Sequence, residues 1–163
     1  VIAIRPASWK DDDAILAILL PIIRAGETYA LDRDLTADQA LGYWHAQGNS
    51  VFVAEVDGRI LGSYFCRANM AGGGRHVANC AYATHEQARG RGIARAMAAH
   101  SFDFAWGVGF RAMMFNFVVA SNVRAVRLWL SLGFEQVGRL PGAFDHPTLG
   151  EVDALVLHRP LGP

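Results

Sequence analysis

The sequence predicts an α/β domain of the α+β kind, with about seven strands and about four helices along one chain. Composition is the first reason: 163 residues, 52% hydrophobic and 18% charged, are enough for one core and too apolar for a disordered chain. The second is a β-α-β-α run from His76 to Leu132, where strand and helix periodicities alternate. The third is a pair of turn signals, Asp57-Gly58 and the stretch Pro141 to Gly150, each flanked by strand-like residues. No repeat, low-complexity tract or linker divides the chain, so residues 1–163 are read as a single domain.

Val1 to Arg5 alternates weakly as a first strand. Ser8 with Asp11, Asp12 and Asp13 then puts acidic groups at the positive end of a helix running toward Leu20, and Pro21 is expected to kink or restart it. That helix is apolar on several sides, which means burial or an interface between two copies, so a homodimer is left open. Glu27 to Leu35 reads as a loop, and Thr36 caps a second helix from Ala37 to about Ala46 that shows Ala40, Tyr43 and Trp44 at helical spacing. Val51 to Glu55 and Ile60 to Cys66 form a hairpin, and Ala71 to Gly74 is a mobile glycine-rich turn. His76 to Thr84 is a strand, Gly92 to Phe104 a helix, Arg111 to Val118 a strand and Val123 to Leu132 a helix ending at Gly133. Phe134 to Leu140 and Val152 to His158 are the last strands, joined by the loop Pro141 to Gly150.

Fifteen basic and fifteen acidic side chains cancel, so no overall positive field draws the chain to nucleic acid or to an anionic membrane. The longest apolar stretch, Ala14 to Ile23, is about half the roughly 20 residues of a membrane span, and no signal-peptide pattern opens the chain. Cys66 and Cys80 have neither the number nor the spacing of a disulfide scaffold or zinc site, so no metal is expected and the cytoplasm is the expected compartment.

The chemistry concentrates in Gln87-Ala88-Arg89-Gly90-Arg91-Gly92-Ile93-Ala94, between a strand and a helix. Two glycines let backbone approach a ligand closely, and the helix aims free N–H groups and its dipole at an anion. Arg89 and Arg91 add charge-assisted contacts, which favours a pyrophosphate. The glycine spacing alone would equally suit an ordinary strand-to-helix turn. The dinucleotide fingerprint fails because Arg95 stands where its third glycine belongs, and no Gly-Lys-Ser/Thr is present for a nucleoside-triphosphatase loop. Asn116 lies in the apolar run Met113 to Val118, where an unpaired amide is costly to bury; a cleft-facing role and a structural hydrogen bond are both open.

Gln87, Gly90 and Gly92 match Gln/Arg-x-x-Gly-x-Gly/Ala, the signature of the GNAT superfamily of acyl-CoA-dependent N-acetyltransferases, which the chain resembles. Asn122-x-x-Ala125-x-x-Leu128-Trp129-x-x-x-Gly133-Phe134 looks like that family's later motif, and the element order agrees from Ile2 to His158. The resemblance implies a central mixed, mostly antiparallel twisted sheet with a V-shaped splay between the fourth and fifth strands. It implies acetyl-CoA as acyl-donor cosubstrate, its pyrophosphate on Arg89, Gly90, Arg91, Gly92, Ile93 and Ala94 and its pantetheine arm paired along Cys80, Ala81 and Tyr82. Cys80 is then a buried small residue, with no adjacent histidine to activate it. Asn122 is an ordinary N-cap, a contact to the coenzyme arm, or both.

An alkyl amine with a pKa of roughly 10 must lose a proton before it attacks. His76 stands where the histone-acetylating branch of the family carries its glutamate, and is the candidate base or a surface histidine. The resemblance puts Glu27 and Tyr29 beside the acceptor, with Glu27 a second candidate base or a site for a cationic amine. Glu86, Asp145 and His146 read as solvated turn residues. Trp129 replaces the tyrosine that many members use to protonate the leaving thiolate, a role indole cannot fill; water, the amine proton or Tyr82 would have to suffice. The expected activity is acetyl transfer to a primary amine of a small or amino-acid-like molecule, with a tetrahedral intermediate held by strand amides. A non-catalytic acyl-CoA sensor, favoured by Trp129, and a protein N-acetyltransferase, disfavoured by the lack of an acidic run, are the alternatives. Gly26-Glu27-Thr28-Tyr29 loosely resembles the branch acetylating phosphinothricin-like amino acids, too briefly to assign a substrate.

Overall fold

The alternating apolar positions fold into one seven-stranded sheet with helices on both faces, in a computed structural model that describes residues 1–163. In chain order the elements are β1 (Ala3–Pro6), α1 (Asp12–Ala25), α2 (Ala37–Trp44), β2 (Ser50–Val56), β3 (Arg59–Ala68), β4 (Val77–Thr84), α3 (Ile93–Gly107), β5 (Ala112–Val119), α4 (Val123–Ser131), β6 (Glu135–His146) and β7 (Gly150–Pro160). The sheet order is β1-β2-β3-β4-β5-β7-β6, and every neighbouring pair is antiparallel except β4 with β5. The mixed, mostly antiparallel sheet implied by the resemblance is therefore present.

Local chemistry explains several boundaries. Asp57 and Gly58 take φ of 50° and 75°, the two left-handed residues that a two-residue hairpin turn needs to follow the strand twist. Thr36 Oγ1 accepts the Gln39 N–H at 3.1 Å while Gln39 Oε1 accepts the Thr36 N–H at 2.9 Å, a reciprocal cap on α2. Ala71 to Gly74 closes as a 3-10 turn, with Gly74 N–H donating to the Ala71 carbonyl at 3.1 Å.

Two expectations are corrected. Pro21 does not restart the helix as one of its two expected effects would have it: α1 continues to Ala25 and ends on left-handed Gly26. Ile15, Ile18 and Leu19 before the proline and Ile23 after it are all buried, and together they outweigh the roughly 3 kcal/mol cost of an interior proline. Pro21 itself is exposed, on the open side of the helix. The loop expected over Pro141 to Gly150 is mostly strand, because β6 runs on to His146. As the edge strand it has room for Pro141, and its register shift between Leu140 and Phe144 absorbs the irregularity.

Strand alternation divides the core in two. Phe52, Tyr64, Cys66 and Cys80 pack with Met97 and Ala98 of α3 and Trp129 of α4 on one face. Val53, Phe65 and Ala83 pack with α1 and with Trp44 of α2 on the other. Two buried polar side chains of this core pair with each other: Trp44 Nε1–H donates to Ser63 Oγ at 2.9 Å, and Ser63 Oγ–H donates to the Phe52 carbonyl at 2.8 Å. At Gly62 a Cβ would stand 2.8 Å from Ile93 Cγ2 and Met97 Cε, so the missing side chain lets β3 approach the start of α3.

β4 and β5 are paired only at Val77 with Ala112 and Ala78 with Met113. Asn79 Nδ2–H donates across the widening gap to the Met114 carbonyl at 2.9 Å, after which the strands part. This is the expected V-shaped splay.

Candidate active site

The parted strands open a cleft of about 1120 Å³, lined by β4, β5, the turn before α3, the start of α4, and α1 with the loop that follows it. Hydrogen-bond parity shows which groups β4 offers to it. Asn69 N–H donates to the Val77 carbonyl at 2.8 Å and His85 N–H to the Leu61 carbonyl at 2.8 Å, so odd-numbered residues of β4 direct their backbone to β3. The backbone groups of Cys80, Tyr82 and Thr84 therefore turn toward the gap. Ala81, expected to join them, pairs with β3 instead and presents only its side chain to the cleft.

At the far end of β4 the chain makes a 3-10 turn, Glu86 to Ala88, and then enters α3 through Gly90 and Gly92 at φ of 76° and 78°. No side chain caps α3; Ala96 N–H is the first to bond back, to the Gly92 carbonyl at 3.0 Å. The amides of Ile93, Ala94 and Arg95 consequently have no intrahelical acceptor and form the positive pole of the helix. A Cβ at Gly90 or Gly92 would meet nothing within 4 Å, so both border open space. Arg89, Arg95 and Arg124 line this end, giving a chain of zero net charge a local basic mouth. Ser121 Oγ, in the same cleft, is buried without a hydrogen-bond partner.

Of the residues singled out from sequence, Glu27, Tyr29, Cys80, Ala81, Tyr82, Arg89, Gly90, Gly92, Ile93, Ala94, Asn116 and Asn122 line the cleft. Gln87 and Arg91 do not: both are exposed, and Gln87 N–H is taken by His85 Nδ1 at 3.1 Å. His76 is not brought there either. It precedes β4 at the closed end of the V, exposed, with its carbonyl accepting the Arg111 N–H at 2.9 Å. Asn122 opens α4 but makes no side-chain cap, which leaves its amide for the cleft. Asn116 combines both of its open roles, lining the cleft while donating to Asn69 Oδ1 at 2.6 Å. His146, read as a solvated turn residue, is half-buried at the cleft edge, where its Nδ1 accepts the Thr148 and Leu149 N–H groups at 3.2 Å each.

Burial governs the titrating groups. It pushes the Cys80 thiol well above its ordinary value, and Cys66, directly across the ladder, raises it further; Cys80 is therefore a neutral core residue. Tyr82 is likewise raised by burial, and its hydroxyl is shared with Ser101 Oγ at 2.6 Å beneath α3. That removes Tyr82 as a side-chain proton donor in the cleft; only its backbone is there, the carbonyl accepting the Tyr29 hydroxyl at 2.5 Å. Trp129 is buried, its ring 4.8 Å from those of Tyr82 and Phe115.

Sequence reasoning missed Arg67, Asn79 and Ser121 in the cleft, and Arg95 and Arg124 at its mouth. The arginines had a signal, since Arg95 follows the glycine turn and Arg124 opens α4. Arg67 had none, because its position in the cleft depends on packing by distant helices.

A mixed sheet splayed at its one parallel pair, with a glycine turn leading into uncapped helix amides at the open end, defines an acetyltransferase fold. Residues 16–134 match the acetyltransferase (GNAT) family, and the chain belongs to that family. The structure is similar to a GCN5-related N-acetyltransferase from Kribbella flavida, with 44% identity, a TM-score of 0.93 and 98% of each chain covered. N-acetyltransferase aca1 of Schizosaccharomyces pombe is 26% identical over 137 residues, 74% of this chain and 66% of that one, so just under two thirds of that relative is spanned. A phosphinothricin acetyltransferase from Sinorhizobium meliloti, in complex with acetyl-CoA, shares the fold with a TM-score of 0.87 at 20% identity, over 99% of this chain and 89% of that one.

Proposed function

We propose that this chain transfers an acetyl group from acetyl-CoA to the primary amine of a small, amino-acid-like molecule. The observation that carries the reading is the gap between β4 and β5, where a strand edge left unpaired by β5 leads straight into uncapped helix amides. Bound there, acetyl-CoA supplies a thioester carbonyl open to attack by an amine. The residues fit such a ligand: two glycines leave room against the backbone, and the orphaned Ser121 hydroxyl awaits a polar partner. The amides of Ile93 to Arg95, with Arg89, would hold the pyrophosphate. The gap-facing backbone of Cys80 and Tyr82 would hold the pantetheine arm as an added strand.

On the acceptor side, Glu27 is the candidate base that lines the cleft. Its carboxylate attracts the cationic amine and takes its proton directly or through water. The test follows thiol release from acetyl-CoA with a panel of primary amines. Saturable release with at least one acceptor is expected; no binding of acetyl-CoA would contradict the reading.

A second reading, a non-catalytic acyl-CoA sensor, is favoured by Trp129, whose indole N–H does not titrate. Coenzyme binding with no thiol release for any acceptor would select it.

A further inference from the structure

We propose that Arg67 anchors the carboxylate of the acceptor, so that the molecule acetylated is a free α-amino acid or an analogue with an anion beside its amine. The proposal rests on the transfer reading above and specifies its acceptor site. Arg67 lies on β3 directly opposite Asn79, its guanidinium carbon 5.7 Å from the centre of the Phe65 ring. It therefore stands on the sheet face that α1 and α2 cover, on the side of the cleft away from the basic mouth.

Its Nε is buried and donates to nothing, and Arg67 joins no ion pair. A buried guanidinium N–H without an acceptor is rare in a folded chain, because the group has been desolvated with no return. No side chain or carbonyl nearby accepts from it, and Asn69 Oδ1, two residues along, already accepts from Asn116. Only two carboxylates line the cleft, Glu27 and Glu86, and Glu86 belongs to the turn before the phosphate loop. The acceptor side thus holds one cation and one anion, Arg67 and Glu27, which are not paired with each other. A zwitterion satisfies both: its ammonium faces Glu27, and its carboxylate meets the planar fork of Arg67, which binds two oxygens at once. A simple alkylamine would leave the buried Nε of Arg67 unmatched.

The experiment follows thiol release from acetyl-CoA with the common L-amino acids, each beside the amine lacking its carboxylate and beside its methyl ester. At least one amino acid should exceed both partners in kcat/KM by about 10- to 100-fold, the worth of a charge-assisted hydrogen-bonded pair. Arg67→Met should bring that amino acid down to the level of its amine while the KM for acetyl-CoA moves by less than about twofold, and Arg67→Lys should recover part of the difference. Amines acetylated as well as their amino acids by the wild-type chain, or equal losses for both in Arg67→Met, would overturn the proposal. Even if Arg67→Met fails to fold, the wild-type comparison decides. Acetyl-CoA binding with no amino acid acetylated also overturns it but spares the coenzyme site, whereas failure to bind acetyl-CoA overturns the transfer reading itself.

Discussion

Asp11 is 5% exposed, and it is kept ionised by Arg5, whose guanidinium meets both carboxylate oxygens at 2.9 Å, and by the Ser8 N–H at 2.8 Å. The Arg5 hydrogen bonds, helped by Ser8, hold its pKa at about 2 against the cost of burial. An unfolded aspartate titrates near 3.9, so this carboxylate stabilises the fold fully above about pH 5 and loses that contribution as pH falls through about 4 to 2. With the Arg5 side chain 43% exposed, the contribution is discounted to about 1 to 2 kcal/mol. Asp11→Asn should lower the unfolding free energy by that amount at pH 7, with the difference shrinking toward pH 2; a constant difference across this range would contradict the assignment. The same scale shows what single residues conceal. His76 reads as a base from its place in the strand, but the parallel pairing just beyond it puts it at the closed end. Arg67 follows an apolar strand by one residue and reads as its polar end. Only the cover of α1 and α2 leaves this half-buried cation with a buried, unpaired Nε.

Elements carried most of their own signals. The hairpin at Asp57-Gly58 and the cap at Thr36 were legible because each is decided by residues within three or four positions. The restart expected at Pro21 is absent because the burial of Ile15, Ile18, Leu19 and Ile23, contributed by other elements, overrides a local rule. Since the ring is exposed and interrupts the ladder, Pro21→Ala should stabilise the chain by about 1 to 3 kcal/mol. A higher urea midpoint at unchanged slope would show this, and a lower midpoint would contradict it. Gly62 makes the opposite case, a strand residue that must stay small because α3 begins against it. Gly62→Val should cost about 1 to 3 kcal/mol by forcing Ile93 and Met97 aside. Because Ile93 is the first residue of α3, the displacement should also weaken acetyl-CoA binding. Unchanged stability and unchanged affinity would show that the contact is slack.

At the scale of the whole molecule, two cores on opposite faces hold a sheet whose strands part at the open end of its one parallel pair. That defect is the proposed site. α3 lines the end proposed for the phosphates from one face, while α1 and its following loop wall the end proposed for the acceptor from the other. The donor half was legible because Gly90 and Gly92 report a backbone conformation through their identity. The acceptor half was not, because it is assembled from β3, β4, β5 and α1 by contacts distant in sequence. The central claim is that the open end binds acetyl-CoA through the turn entering α3, and calorimetric titration of acetyl-CoA into wild type, Gly92→Asn and Gly92→Asp tests it most directly. The two variants share size and left-handed tolerance, so their difference isolates charge at the helix pole. Binding to the wild type at one site per chain and an affinity for Gly92→Asp at least about tenfold below that for Gly92→Asn are expected. Wild-type affinity in Gly92→Asp would contradict the account.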